Sequence, residues 1–271
     1  MEKDFCEYRP YLYLISTLIV TWIFWFGAAA TGQGWLQFPN IILTILGFIT
    51  PTVVAVIMVK LGYWPGTIQA FLDNCFNPFN IKLKWYLVMA TALLILTGGP
   101  LLIGSIVFDQ SIHQLASFSP PTAFILVGLI AGVIEEPGWR GYGQKALQQY
   151  YSPLKSSLII GLFWALWHLP LFLIAGTYQS TIGLFSAGFI FFNLGILVGS
   201  IFYSWLYNVT GQFAVIAVLY HGLGNMFREL LSFSESSFQV HLIEFSIEVF
   251  ISLTVIILAW DYLTKNIINS R

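Results

Sequence analysis

A chain of 271 residues that is 58% hydrophobic, 17% aromatic and only 8% charged lies far from a soluble globular domain, in which about a quarter of residues are charged. It reads as a polytopic membrane protein, one transmembrane domain over residues 1–271, embedded in a lipid bilayer. A formal net charge of -1 without a basic cluster excludes a nucleic-acid partner, and Cys6 and Cys75 are too few and too far apart for a disulfide framework or a metal knuckle.

Runs of about 17 to 25 mostly apolar residues mark spans. Eight are expected, roughly at 11 to 30, 41 to 59, 85 to 108, 122 to 148, 157 to 175, 183 to 207, 212 to 231 and 242 to 263. The fold class is therefore all-α, a bundle of about eight transmembrane helices. The first run, Tyr11 to Ala30, is longer than the apolar region of a signal peptide and is read as an uncleaved helix. The polar interruption from Gly62 to Lys84 reads as a loop carrying a short interfacial helix. Lys3, Arg9, Lys60, Lys82, Lys84, Arg140, Lys145, Lys155, Lys265 and Arg271 fall on one side of this arrangement and Arg228 alone on the other. Because Lys and Arg accumulate in cytoplasmic loops, both termini are expected in the cytoplasm of a multi-pass cell-membrane protein. Gly128 with Gly132, and Gly195 with Gly199, have the four-residue spacing of close helix contacts.

Within this apolar background, Ile134-Glu135-Glu136-Pro137-Gly138-Trp139-Arg140-Gly141 stands out, because charge at membrane depth persists mainly in a protein interior or a wet cavity. Glu136 and Arg140 are four apart and can pair on one helix face; Glu135, about 100° round the helix, points elsewhere. His168 follows Trp164 by four residues, and Asn225 follows His221 by four, so each pair shares a face. Counted along the helices at about 1.5 Å per residue, Glu135, His168 and His221 all fall in the cytoplasmic half of the membrane. Pro137 and Pro170 each delete a backbone donor, which is tolerated where protein or water re-satisfies the freed carbonyl. His113 and His241 read as solvated loop residues, Glu244 and Glu248 as an interfacial face, and Asp261 as an inner-boundary residue.

Such a set suits water activation. A buried Glu135 can serve as general base with His168 sharing the same water, and His221 and Asn225 can stabilise an oxyanion on a peptide carbonyl. Glu135, His168 and His221 are also candidates to hold a divalent metal such as zinc. No HExxH helix is present, so metal-dependent and metal-free hydrolysis both stay open. Trp139 and Trp164 are candidates to line a substrate site. A transporter or proton relay would use the same buried groups, and a non-catalytic immunity protein would keep them as structure.

Glu135-Glu136-x-x-x-Arg140, an aromatic residue four before His168, and His221-x-x-x-Asn225, in this order on successive hydrophobic helices, resemble the three motifs of the CAAX protease and bacteriocin-processing (CPBP) family of intramembrane endopeptidases. In the second motif that family usually has Phe where this chain has Trp164, with Phe163 one residue earlier. The resemblance covers about 122–230. It implies an eight-helix endopeptidase, metal-dependent or glutamate-type, whose site opens toward the cytoplasm. Glu135 and His168 would activate water, His221 and Asn225 would form the oxyanion site, and Glu136 with Arg140 would support them. The implied partner is a peptide or protein substrate, a prenylated C-terminal tail or a leader peptide, with roles in bacteriocin maturation or self-immunity.

Overall fold

The structure is a computed structural model that describes residues 8–107, 109, 122–231 and 238–265. His113, expected in an outer loop, lies outside the described residues. The described residues are helical with no strand. In chain order the helices are α1 (Pro10–Ala30), α2 (Asn40–Lys60), α3 (Ile68–Phe76), α4 (Leu83–Val107), α5 (Thr122–Glu136), α6 (Pro153–His168), α7 (Tyr178–Ile182), α8 (Ala187–Val209), α9 (Val215–Leu231), α10 (Phe238–Leu258) and α11 (Trp260–Thr264). Between α5 and α6 the chain winds as a π-helix over Pro137–Gln144, followed by one α-turn at Lys145–Leu147.

Local chemistry sets the ends. Pro10 and Pro153 occupy first-turn positions, where a missing N–H costs nothing, and the side chains of Thr67, Ser152, Thr177 and Ser186 accept from the first free backbone N–H groups of α3, α6, α7 and α8. After α2 the chain turns at Gly62, whose φ of +83° is left-handed and disfavours any side chain. The polar interruption holds the expected short helix, α3, with a single 3₁₀ turn at Pro78–Asn80 behind it.

Among the described residues, six helical stretches are long and apolar enough to cross a membrane: Pro10–Ala30, Asn40–Lys60, Leu83–Val107, Pro153–Leu173, Ala187–Val209 and Phe238–Leu258. The other two expected spans hold α5, with 15 residues, and α9, with 17, which are shorter and carry the polar site residues. Exposed Ile23, Leu94, Leu102 and Ile257 are the outward apolar side chains a bilayer-facing surface requires. Inside, one core gathers Tyr13, Trp25, Trp139, Tyr142 and Trp167; a second gathers Phe202, Leu206, Ile216 and Tyr220.

Helices α5 and α9 approach most closely through glycine. A Cβ at Gly132 would overlap the carbonyl of Val218 and lie 2.8 Å from the N of Gly222, and one on Gly222 would lie 2.8 Å from the carbonyl of Leu129. Gly128 meets the backbone of Asn225 in the same way, at 3.1 Å. The second glycine pair divides: Gly195 abuts the Glu248 carboxylate, whereas Gly199 faces open space. Because backbone atoms cannot give way, Gly132→Val is expected to push α9 off α5 and destabilise the protein by about 1–3 kcal/mol. A lowered Tm in detergent, with peptidase activity falling alongside, is the result to look for.

Candidate active site

The π-helical segment is a wedge whose sequence explains its place. Gly138, Gly141 and Gly143 each face a different neighbour: a Cβ would collide with Pro51 of α2, sit 2.9 Å from Cys75 Sγ of α3, or 2.9 Å from the ring of Tyr13 in α1. Pro137 opens the segment, and Thr52 Oγ1 donates to the nearby carbonyl of Ile134 at 2.7 Å. The second proline is served likewise: α6 ends at His168, Pro170 cannot supply the next bond, and the carbonyl of Leu166 accepts from Trp22 Nε1 at 3.2 Å. Wide π-turns recur at functional sites because they rotate side chains out of the α-helical register.

Adjacent in the last turn of α5, just before the π segment, the two glutamates face different partners. Glu136 accepts from Arg140 Nη1 through both oxygens, 3.0 Å each, so the expected pair forms and is fully buried. The same carboxylate also meets His221 Nδ1 at 2.8 Å, a partner 85 positions away. Arg140 is further held by a hydroxyl and two rings. Its Nη2 donates to Ser200 Oγ at 3.2 Å, and its guanidinium lies between the rings of Trp164 and Tyr203, 4.4 and 4.3 Å from their centroids. Glu135 points elsewhere, as expected, and its Oε2 accepts from Trp164 Nε1 at 2.9 Å.

Below Arg140 runs a polar ladder. Gln144 Nε2 donates to Ser204 Oγ at 2.7 Å, and Gln148 Nε2 donates to Asn208 Oδ1 at 2.8 Å. Arg140, Gln144 and Gln148 thus meet Ser200, Ser204 and Asn208 of α8 in register, locking the π segment to that helix. Both series step by four residues in the sequence; that periodicity is the signal by which the ladder is findable.

A cavity of about 690 Å³ is lined by Glu135, Trp164, His168, His221, Asn225 and Tyr203, among others. His168 Nδ1 donates to the backbone carbonyl of Trp164 at 2.7 Å, since a carbonyl can only accept. A neutral His168 therefore presents the lone pair of Nε2. His221 is anchored through Nδ1 in the same way, leaving its Nε2 as the remaining functional atom. Trp139 does not line the cavity. Fully buried, it packs edge-on against Tyr13 and Trp167 in the aromatic core.

The cavity continues past the histidines to a group read from the sequence as surface. Arg228 binds Glu244 through both oxygens, at 2.8 and 2.9 Å, and donates to Tyr178 Oη at 2.7 Å; His241 is buried beside Glu244. Glu244, Glu248 and His241 line the cavity, because α10 turns this face inward to meet the basic residue on α9. Asp261 stays at the surface, exposed and paired with Lys265 at 3.3 Å.

Glu135, His168 and His221 do not assemble as a metal-ligand set: among the described residues no three His, Cys, Asp or Glu side chains come together closely enough to hold one ion. What the site brings together is a carboxylate with one oxygen held, and two imidazoles each anchored at Nδ1. A model of the family described as Type II CAAX prenyl endopeptidase Rce1-like matches residues 117–227, a stretch that contains every one of these groups. Beyond it, the chain is 31% identical over 245 residues to "CAAX prenyl protease 2" of Methanococcus maripaludis, covering 85% of this chain and 88% of that protein. The chain belongs to the Rce1-like family of type II CAAX prenyl endopeptidases. It is thus a multi-pass membrane protease, and Glu135 to Arg140, His168 and the His221–Asn225 pair lie on α5 with its π-helical extension, on α6 and on α9.

Proposed function

We propose that this Rce1-like protein hydrolyses a peptide bond near the prenylated C-terminus of a protein or peptide, using a water activated by Glu135 and His168. The observation that carries the reading is the convergence of Glu135, His168, His221 and Asn225 on one cavity, with both histidines anchored at Nδ1. The water's proton passes to Glu135 or to Nε2 of His168 while its oxygen bonds to the scissile carbonyl carbon. Negative charge then develops on the carbonyl oxygen, beside His221 Nε2 and the Asn225 amide. Since His221 Nδ1 already donates to Glu136, donation from Nε2 requires the doubly protonated ring, and Glu136 supplies its counter-charge at 2.8 Å. Collapse breaks the C–N bond, and the stored proton goes to the leaving amine. Phe191, Phe192 and Phe245 give the cavity an apolar wall suited to an isoprenoid chain.

Purified protein is expected to cut a farnesylated CAAX peptide and to leave the unprenylated peptide largely intact. Equal cleavage of both sinks the prenyl assignment. Running the reaction with and without a strong chelator reads out any metal requirement directly.

The orientation we propose follows from the loop lysines. Lys60, Lys155 and Lys265 mark one pole, while the cavity continues toward Trp35, Gln179 and Arg228 at the helix ends of the other. Arg140 is buried in the site and drops out of the charge count. With the basic pole in the cytoplasm, the cavity extends away from it, opposite to the cytoplasmic opening that the family resemblance implies. A membrane-impermeant thiol reagent tests this with Gln179→Cys and Lys60→Cys in a Cys6→Ser background. Cys75 stays silent, because it is buried and burial pushes its thiol up. Labelling of position 179 but not 60 in intact spheroplasts is expected; the reverse pattern inverts the orientation.

A further inference from the structure

We infer that Trp164 is a positioning residue: its indole N–H fixes one oxygen of Glu135 so that the other faces the water, while its ring face holds the Arg140 guanidinium. The inference rests on the proposed role of Glu135 and concerns how that carboxylate is aimed. The N–H contact is 2.9 Å and ends on Oε2; no other protein group among the described residues bonds Glu135, so this one contact selects the carboxylate's rotamer. A glutamate otherwise keeps substantial side-chain freedom, and an unaimed base spends much of its time out of reach of the water.

The ring has a second task that Phe can also perform. It lies 4.4 Å from the Arg140 carbon and packs edge-on against His221 and Tyr203, at centroid distances of 5.3 and 5.6 Å. His168 sits on the same helix face at 6.0 Å and donates to Trp164's own carbonyl. One residue therefore touches both halves of the site: the edge of the indole serves Glu135, and its face serves the Arg140–Glu136–His221 chain. The face explains why an aromatic side chain stands four residues before His168. Only the edge N–H explains why it is Trp here, since Phe has no donor.

The decisive variant removes the N–H and nothing else. Replacing Trp164 with 3-benzothienylalanine, in which sulfur takes the place of the indole nitrogen, keeps shape and ring face. A charge-assisted hydrogen bond of this kind corresponds to about ten- to a hundredfold in rate. The expected result is a kcat loss of that size, with KM and Tm close to wild type. Trp164→Phe should show the same kcat loss with an added fall in Tm from the smaller ring. A benzothienyl variant with wild-type kcat overturns the inference. So does a loss confined to the amount of folded protein, with kcat per folded molecule unchanged, because Trp164 is then a packing residue only. Glu135→Gln run alongside separates the two levels: if it stays active, the proposed role of Glu135 fails first; if it is inactive while the isostere is fully active, only the positioning role fails.

Discussion

Glu135→Gln is expected to lower kcat by about a thousandfold while leaving the protein folded and KM within a few-fold of wild type. The substitution is nearly isosteric, and the amide oxygen can still accept from Trp164 Nε1, so the 2.9 Å contact and the packing around it are retained. What disappears is the lone pair that accepts a proton from water. The loss should therefore appear in the chemical step. His168→Ala should cost a comparable factor, but also some stability, because the anchored imidazole fills space between the rings of Trp167 and Phe192.

Arg140→Met is expected to be the most destabilising single change, at about 3–5 kcal/mol, because it strands the fully buried Glu136 without its counter-charge. The loss reaches further than one ion pair. Ser200 loses its donor, the Trp164 and Tyr203 rings lose the cation between them, and Glu136 is left holding His221 alone. Glu136→Gln removes the charge from the other side. In the double variant neither member of the ion pair is charged, so its loss of unfolding free energy should be smaller than the sum of the two single losses, by a coupling of about 1–3 kcal/mol. Thermal or denaturant unfolding in detergent measures the cycle. Additive losses would mean the pair is screened rather than buried.

The bundle is legible in the sequence because the bilayer demands long apolar runs, and such runs bear one reading. Glu136 with Arg140 was legible for a local reason: four residues on a helix are neighbours. The bond from Glu136 to His221 was not, since nothing in the spacing of residues 85 apart states which face of α9 meets the π segment. The π-helix itself is hidden because Pro137 and three nearby glycines read as helix breakers; only packing against Tyr13, Pro51 and Cys75 shows why they are needed. The packing of Trp139 against Tyr13 and Trp167 was hidden too, since nothing in its spacing states which neighbours it meets. His241, Glu244 and Glu248 sit near a helix end, where solvent exposure is the default; Arg228, on another helix, draws that face inward.

The most direct test of the water-activation account is cleavage of one farnesylated CAAX peptide by purified wild-type protein, Glu135→Gln and His168→Ala in matched liposomes, with the new termini identified by mass spectrometry. The account predicts a defined cut by the wild type and loss of that cut, by about a thousandfold, in both variants while they remain folded. Cleavage at the same bond and near the wild-type rate by either variant would contradict it.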